Sequence, residues 1–164
     1  MSLTSAKVAN PTAAEQLISD LMGRYPPGFD LGLDRISALL KTLGDPHLNL
    51  PPTIHVAGTN GKGSTIAFMR AMLEAGGKAV HVHTSPHLVR WHERFRIAGQ
   101  LVEDAVLHNA LTRVAEAVEV THETVRGVTV FEIMTATAFL LFAEHPADVL
   151  LLEVGLGGEF DATN

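Results

Sequence analysis

The sequence has 164 residues, 46% hydrophobic and 18% charged, with a formal net charge of −6 and no cysteine. That length and balance give one domain with a real core and exclude a disordered chain, and the missing cysteines exclude disulfides, thiolate-bound zinc and thiol nucleophiles. Without a block of Lys or Arg, the acidic balance argues against duplex nucleic acid as a partner, but not against a nucleotide, which one lysine and a ring of backbone N–H groups can hold.

The opening MSLTSAKVAN has no apolar h-region and no apolar run approaches a membrane span, so a cytoplasmic protein without membrane contact is expected. Thr12 to Glu15 is a capping box, and Leu17, Ile18 and Leu21 follow at helical spacing. Arg24 to Asp30 reads as a loop from its Pro and Gly content. Leu33, Ile36, Leu40 and Leu43 mark a second helix closed by Gly44, and Asp45 to Pro52 is a connector. Thr53 to Ala57 is a short strand, Ser64 to Ala75 a helix closed by Gly76 and Gly77, and Ala79 to His83 a second strand. Phe95 to Ala98 is predicted as a third strand with a turn at Gly99-Gln100, followed by a long amphipathic helix over Val102 to Val120. Val125 to Val130 is predicted as a strand and Glu132 to Ala143 as a helix whose Phe139 to Phe142 run belongs to the core. Asp148 to Val154 is a nearly all-apolar strand, as expected when both faces of a parallel sheet are covered.

Strands alternating with helices imply right-handed βαβ units and an α/β fold, a doubly wound and mostly parallel sheet. The sequence stops at Asn164 in a glycine-rich loop directly after a buried strand, where domains seldom end, so the chain is expected to be part of a longer polypeptide.

The stretch HVAGTNGKGST, His55 to Thr65, departs from the strict Walker A rule: Val56 stands where the first Gly is required, and Gly63 follows Lys62 where Ser or Thr is required. The parts of a phosphate loop are nevertheless all present in order. A strand delivers the chain, Gly58, Gly61 and Gly63 let the backbone approach, Lys62 supplies the cation, and a helix begins near Ser64. Ser64 or Thr65 can bring a hydroxyl near a metal. The plainer alternative is a tight β-to-α turn with a solvated lysine. Glu153, ending an apolar strand at the carboxyl edge of the sheet, has the Walker B placement and can hold Mg²⁺ directly or through water; the alternative is a solvated strand-end Glu. Gly155 to Gly158 invites a dinucleotide reading that fails, because the third fingerprint position is Phe160 and no helix or acidic residue follows to finish the unit. His81 and His83 share one strand face without a third ligand at a recognisable spacing, which favours structural histidines over a metal site, and His55 reads as a satisfied strand residue. His87 and His92 lie in a segment rich in Arg and Trp that can meet an anionic ligand.

In this order, FDLGLDRI, HVAGTNGKGST, TSPHLVRWHERFRIAG, FEIMTATAF and LLLEVGLGGEFDATN resemble folylpolyglutamate synthase/dihydrofolate synthase of the Mur ligase superfamily, over roughly residues 12 to 164. That superfamily uses a GT-x-GK-x-[ST] form of the phosphate loop. The resemblance implies an ATP- and Mg²⁺-dependent ligase that joins L-glutamate to dihydropteroate or a folate through an acyl phosphate. Lys62 and Glu153 are then the catalytic residues; Gly58, Thr59, Asn60, Gly61, Lys62, Gly63 and Ser64 bind ATP; and Ser85, Glu153 and Ser64 bind the metal. Leu31, Thr129, Val130, Phe131, Glu132, Phe160, Asp161 and Ala162 form the folate side. Phe131 there stacks on a flat pterin ring, unless it belongs to the core, and Asp161 accepts pterin N–H groups. The resemblance further implies a helical segment over 1–52, a truncated phosphate-loop domain over 53–164, an absent C-terminal glutamate-ligase domain, a monomer, and little turnover by this chain alone. Two other readings remain at this point: a peptidoglycan-precursor ligase of the Mur type, and a non-catalytic nucleotide-binding fragment.

Overall fold

The computed structural model describes residues 10–25 and 32–164. The predicted loop residues 26–30 and Leu31 lie outside the described residues. Helix α1 spans Ala13–Arg24 and starts where the Thr12 side chain accepts from the Glu15 amide while Glu15 returns to the Thr12 amide, as its capping box requires. Helix α2, Asp34–Thr42, ends in a Schellman motif: Asp45 N–H bonds the Leu40 carbonyl and Gly44 N–H the Lys41 carbonyl. Gly44 takes φ 83°, a conformation that favours glycine. The connector to the sheet contains a short 3₁₀ turn, Pro46–Asn49.

Strands β1 (Thr53–Val56), β2 (Val80–His83), β3 (Phe95–Ile97), β4 (Gln100–Leu101) and β5 (Val149–Glu153) form one sheet in the order β1-β5-β2-β3-β4. β5 lies parallel between β1 and β2, while β3 and β4 add an antiparallel edge. Ala98 and Gly99, at φ 47° and 85°, make the tight turn between β3 and β4. β5 alternates its apolar residues to two cores, which explains why it reads as apolar throughout. Leu151 and Val149 pack with Val80, Val82 and Ile66 of helix α3 (Lys62–Ala75). Leu150 and Leu152 face the larger core, built with α1, α2, α4 (Asp104–Thr121) and α5 (Val130–Glu144). Helices therefore cover both faces of a mostly parallel sheet, the doubly wound arrangement expected. α5 is buried on every side, including Phe139 to Phe142.

One predicted strand is absent, and the starts of α5 and α3 each lie two residues ahead of the sequence expectation. Residues 125–129 form no strand, and α5 begins at Val130 instead of Glu132. The reason is a second capping box. Thr129 Oγ1 accepts from the Glu132 amide at 3.2 Å and the Glu132 carboxylate accepts from the Thr129 amide at 2.7 Å, so the β-branched run VTV feeds a helix start. Helix α3 begins at Lys62, two residues ahead of Ser64, because Gly61 at φ 80° turns the chain directly into it.

Candidate functional site

The loop Gly58–Gly61 leaves the end of β1 and enters α3. No side chain caps that helix, and its first backbone bond is Thr65 N–H to the Gly61 carbonyl. The amides of Gly61, Lys62, Gly63 and Ser64 are therefore the unshared donors of the helix start, backed by the positive end of the helix dipole. Lys62 arches back and its Nζ donates to the Gly58 carbonyl at 2.9 Å, closing the loop around those donors. Gly58, Thr59, Asn60, Gly61, Gly63 and Ser64 are exposed, so an anion can reach the nest.

Glu153 ends β5 in register with Val56, the last residue of β1. Its side chain is buried, and one oxygen accepts the Ser85 amide at 3.0 Å. The other lies 4.0 Å from where a Cβ on Gly63 would stand. One carboxylate thus sits between the start of α3 and the segment after β2, at the carboxyl ends of three neighbouring strands, where ligands of open α/β sheets bind. Ser64 is on the same first turn of α3 as Gly63. Among the described residues no group of three His, Cys, Asp or Glu side chains is placed to hold a metal. An ion here would rest on one carboxylate and neighbouring hydroxyls. That donor set fits Mg²⁺, which keeps most of its waters and shares itself with phosphates.

Beside this edge is a cavity of about 450 Å³. It brings together Thr129, Val130, Phe131 and Glu132 from the start of α5, Phe160, Asp161 and Ala162 from the final loop, and Ser85. Leu31 lies outside the described residues, although its neighbour Gly32 lines the cavity. Phe131 is half-buried, resting on the core with its ring at the cavity wall. Its ring tip would come within 2.5 Å of a Cβ on Gly155, so any side chain there would require the ring to shift. The buried Asp161 carboxylate accepts the Leu156 amide and the Thr163 amide and hydroxyl, which shapes the glycine-rich turn around it. Glu132 also serves the scaffold: besides capping α5 it accepts from Arg35 Nε at 3.0 Å, with only 4% of its side chain exposed.

Other lining residues were not singled out from the sequence: Met22, Gly32, Pro86, Trp91, Arg94, Met134, Gly155 and Leu156. Arg94 matters most chemically. Its guanidinium lies 4.3 Å over the Trp91 ring, and Nε donates to His87 Nδ1 at 3.0 Å. Burial lowers its pKa from the usual guanidinium value, and no carboxylate pairs with it among the described residues. The signal was there in SPHLVRWHER as a basic, aromatic segment, but only the fold separates its members. His92 turns away, with Nε2 against Asp104 at 3.0 Å, while His87 faces Arg94. Burial, then the Arg94 charge, push the His87 imidazole down.

The strand histidines are structural. The Ala98 amide donates to His81 Nδ1, so Nε2–H donates to the His145 carbonyl at 2.9 Å. His83 donates from Nδ1 to the Arg94 carbonyl at 2.9 Å, and burial pushes its pKa to about 4. His55 Nε2 meets Thr163 Oγ1 at 2.8 Å.

No protein-family model matches the chain. Among curated proteins, the chain is 43% identical over 155 residues to the dihydrofolate synthase/folylpolyglutamate synthase of Bacillus subtilis, covering 93% of this chain and 36% of that protein. Among solved structures it is similar to E. coli FolC in complex with DHPP and ADP, with a TM-score of 0.81 and 36% identity, over 97% of this chain and 36% of that one. An FPGS–AMPPCP–folate complex superposes with a TM-score of 0.83 and 37% identity, over 92% of this chain and 37% of that one. The chain spans about a third of the length of the curated relatives it matches. Fold and site together define a phosphate-loop α/β domain of the Mur ligase type. The similarity over nearly the whole chain makes the assignment specific: the chain belongs to the folylpolyglutamate synthase/dihydrofolate synthase family.

Proposed function

We propose that this chain is the ATP- and folate-binding part of a ligase that adds L-glutamate to dihydropteroate or to a folate, by way of an acyl phosphate. One observation carries the reading. Glu153 links the start of α3 to the Ser85 segment, and Ser85 also lines the cavity, so a phosphate-binding nest and a cavity for a flat ligand share one border. On this reading Gly58 to Ser64 grip the ATP phosphates, with Lys62 balancing their charge. Mg²⁺, held by Glu153, Ser85 and Ser64, would screen phosphate charge. Phe131 offers a ring face to the pterin, Asp161 offers acceptor lone pairs, and Arg94 draws the carboxylate end. Thr129, Val130, Glu132, Phe160 and Ala162 shape the walls. The residues position two substrates and neutralise charge, which is what phosphoryl transfer asks of a protein.

The chain spans about a third of the length of its relatives, and turnover by these 164 residues alone is expected to be negligible. We take α1 and α2, the described helices of the 1–52 segment, as seated on the phosphate-loop domain, and the chain as a cytoplasmic monomer. The test is calorimetric binding of Mg·ATP and of dihydropteroate to the chain and to Lys62→Ala. The variant should lose about tenfold or more in nucleotide affinity, with dihydropteroate binding kept. Equal nucleotide affinity in both proteins would remove the phosphate-loop assignment.

A further inference from the structure

We propose that His87 is a positioning residue that holds the Arg94 guanidinium toward the cavity as its anion-binding element. The inference rests on the reading of the cavity as the pteroate site. Five arginines of the described residues pair with acids: Arg24 with Glu119, Arg35 with Glu132, Arg70 with Glu74, Arg90 with Glu15 and Arg113 with Glu144, and of the others Arg94 alone lines the cavity. Arg94 instead is held by neutral groups. Its carbonyl accepts from His83 Nδ1–H at 2.9 Å and from the Thr84 amide at 3.3 Å. Its guanidinium rests on Trp91, and its Nε donates to His87 Nδ1 at 3.0 Å. The His87 ring lies 4.4 Å, centroid to centroid, from that of Trp91.

The accepting atom decides the matter. Because Arg94 Nε–H is the donor, His87 Nδ1 is bare and its proton sits on Nε2. A neutral acceptor fixes the side chain without cancelling its charge. A carboxylate at position 87 would fix it as well but would spend the charge before a ligand arrived. With Nε occupied by His87, the two terminal NH₂ groups make no hydrogen bond among the described residues. They stay available for a two-point grip on a carboxylate. A half-buried guanidinium in a cavity walled by Met22, Trp91, Phe131 and Met134 is an incomplete arrangement until an anion enters.

The test compares two ligands that differ only in charge, pteroate and its carboxamide, titrated calorimetrically into the native chain and three variants. The native chain should prefer the carboxylate by about tenfold or more, the size of a charge-assisted hydrogen-bond pair, and Arg94→Ala should abolish that preference. His87→Phe keeps a ring against Trp91 and removes the acceptor. His87→Asn removes the ring and keeps an oxygen near the Nδ1 position. Positioning through the hydrogen bond predicts that Asn retains most of the preference and Phe reduces it to under about threefold, with carboxamide affinity little changed in both. A role in packing alone predicts the reverse order, and that result would overturn the inference. If Arg94→Ala abolishes the preference while both His87 variants keep it, the pteroate reading stands and the role of His87 falls. A native chain that binds neither ligand, or both equally, removes the pteroate reading and this inference with it.

Discussion

Gly155→Ala puts one methyl group against the Phe131 ring at the cavity wall. The added carbon would stand 2.5 Å from Phe131 Cζ, 3.0 Å from Cε2 and 3.1 Å from Asp161 Oδ2. Carbon atoms settle about 3.5–4.0 Å apart, so the ring tip must retreat by about 1 Å or more, and the cavity lies on its open side. Overpacking of this kind costs about 1–3 kcal/mol, and in a domain of this size about 2–4 °C of Tm for each kcal/mol. A ring tip yields more easily than backbone, so the larger share should fall on the ligand. We expect a Tm loss of a few degrees and a fall in pteroate affinity of about tenfold, since 1.4 kcal/mol is one decade. Thermal unfolding and calorimetry measure the two parts. Phe131→Leu in the same chain should relieve the clash, so the double variant should be more stable than the sum of the single changes requires. Native affinity and native Tm in Gly155→Ala would refute the claim that Phe131 forms a ligand-facing wall closed from behind by Gly155.

Glu132→Ala removes both the cap of α5 and a charge-assisted bond to Arg35, so chemical denaturation should show a loss of about 2–4 kcal/mol, the sum of a lost cap and a lost hydrogen bond to a charged group. Stability should also fall in mild acid. His83 has a folded pKa of about 4 against an ordinary 6.5, so between those values the unfolded chain binds more protons. The contribution is complete above about pH 6.5, declines as pH falls and levels off near pH 4, by about 3 kcal/mol at most. His81, also lowered by burial, acts in the same direction. Urea midpoints that stay level from pH 7 to pH 5 would contradict it.

The elements that could be read from sequence are those whose signal is local. The Thr12 capping box, the stop at Gly44, the stop at Gly76-Gly77 and the two-faced apolar strand before Glu153 all appear within a residue or two of their predicted places. The Val125 to Val130 strand failed because β-branched composition competed with a four-residue capping box, Thr129 to Glu132, which satisfies amides at the start of the helix. β4 has only two residues, too few for a periodic pattern.

The cavity followed the same rule at larger scale. Phe131, Asp161 and Ser85 were named because their segments carry a family resemblance, while Met22, Trp91 and Arg94 were not, because what matters about them is where folding puts them. Met22 and Asp161 are 139 positions apart yet line one cavity. A charged residue in a sequence announces only that it is charged. Whether it is solvated, paired or held ready for a ligand depends on what stands opposite, and for Arg94 that is a bare imidazole nitrogen and an indole face instead of an acid. The same reasoning separates Glu132 from Glu153. Both end up buried and both accept a backbone amide, but Glu132 already faces a guanidinium, whereas Glu153 faces the open helix start that the phosphate-loop glycines leave uncovered. The carboxylate with a cation beside it belongs to the scaffold, and we propose that the one facing unshared amide donors across a gap marks where charge from outside is received.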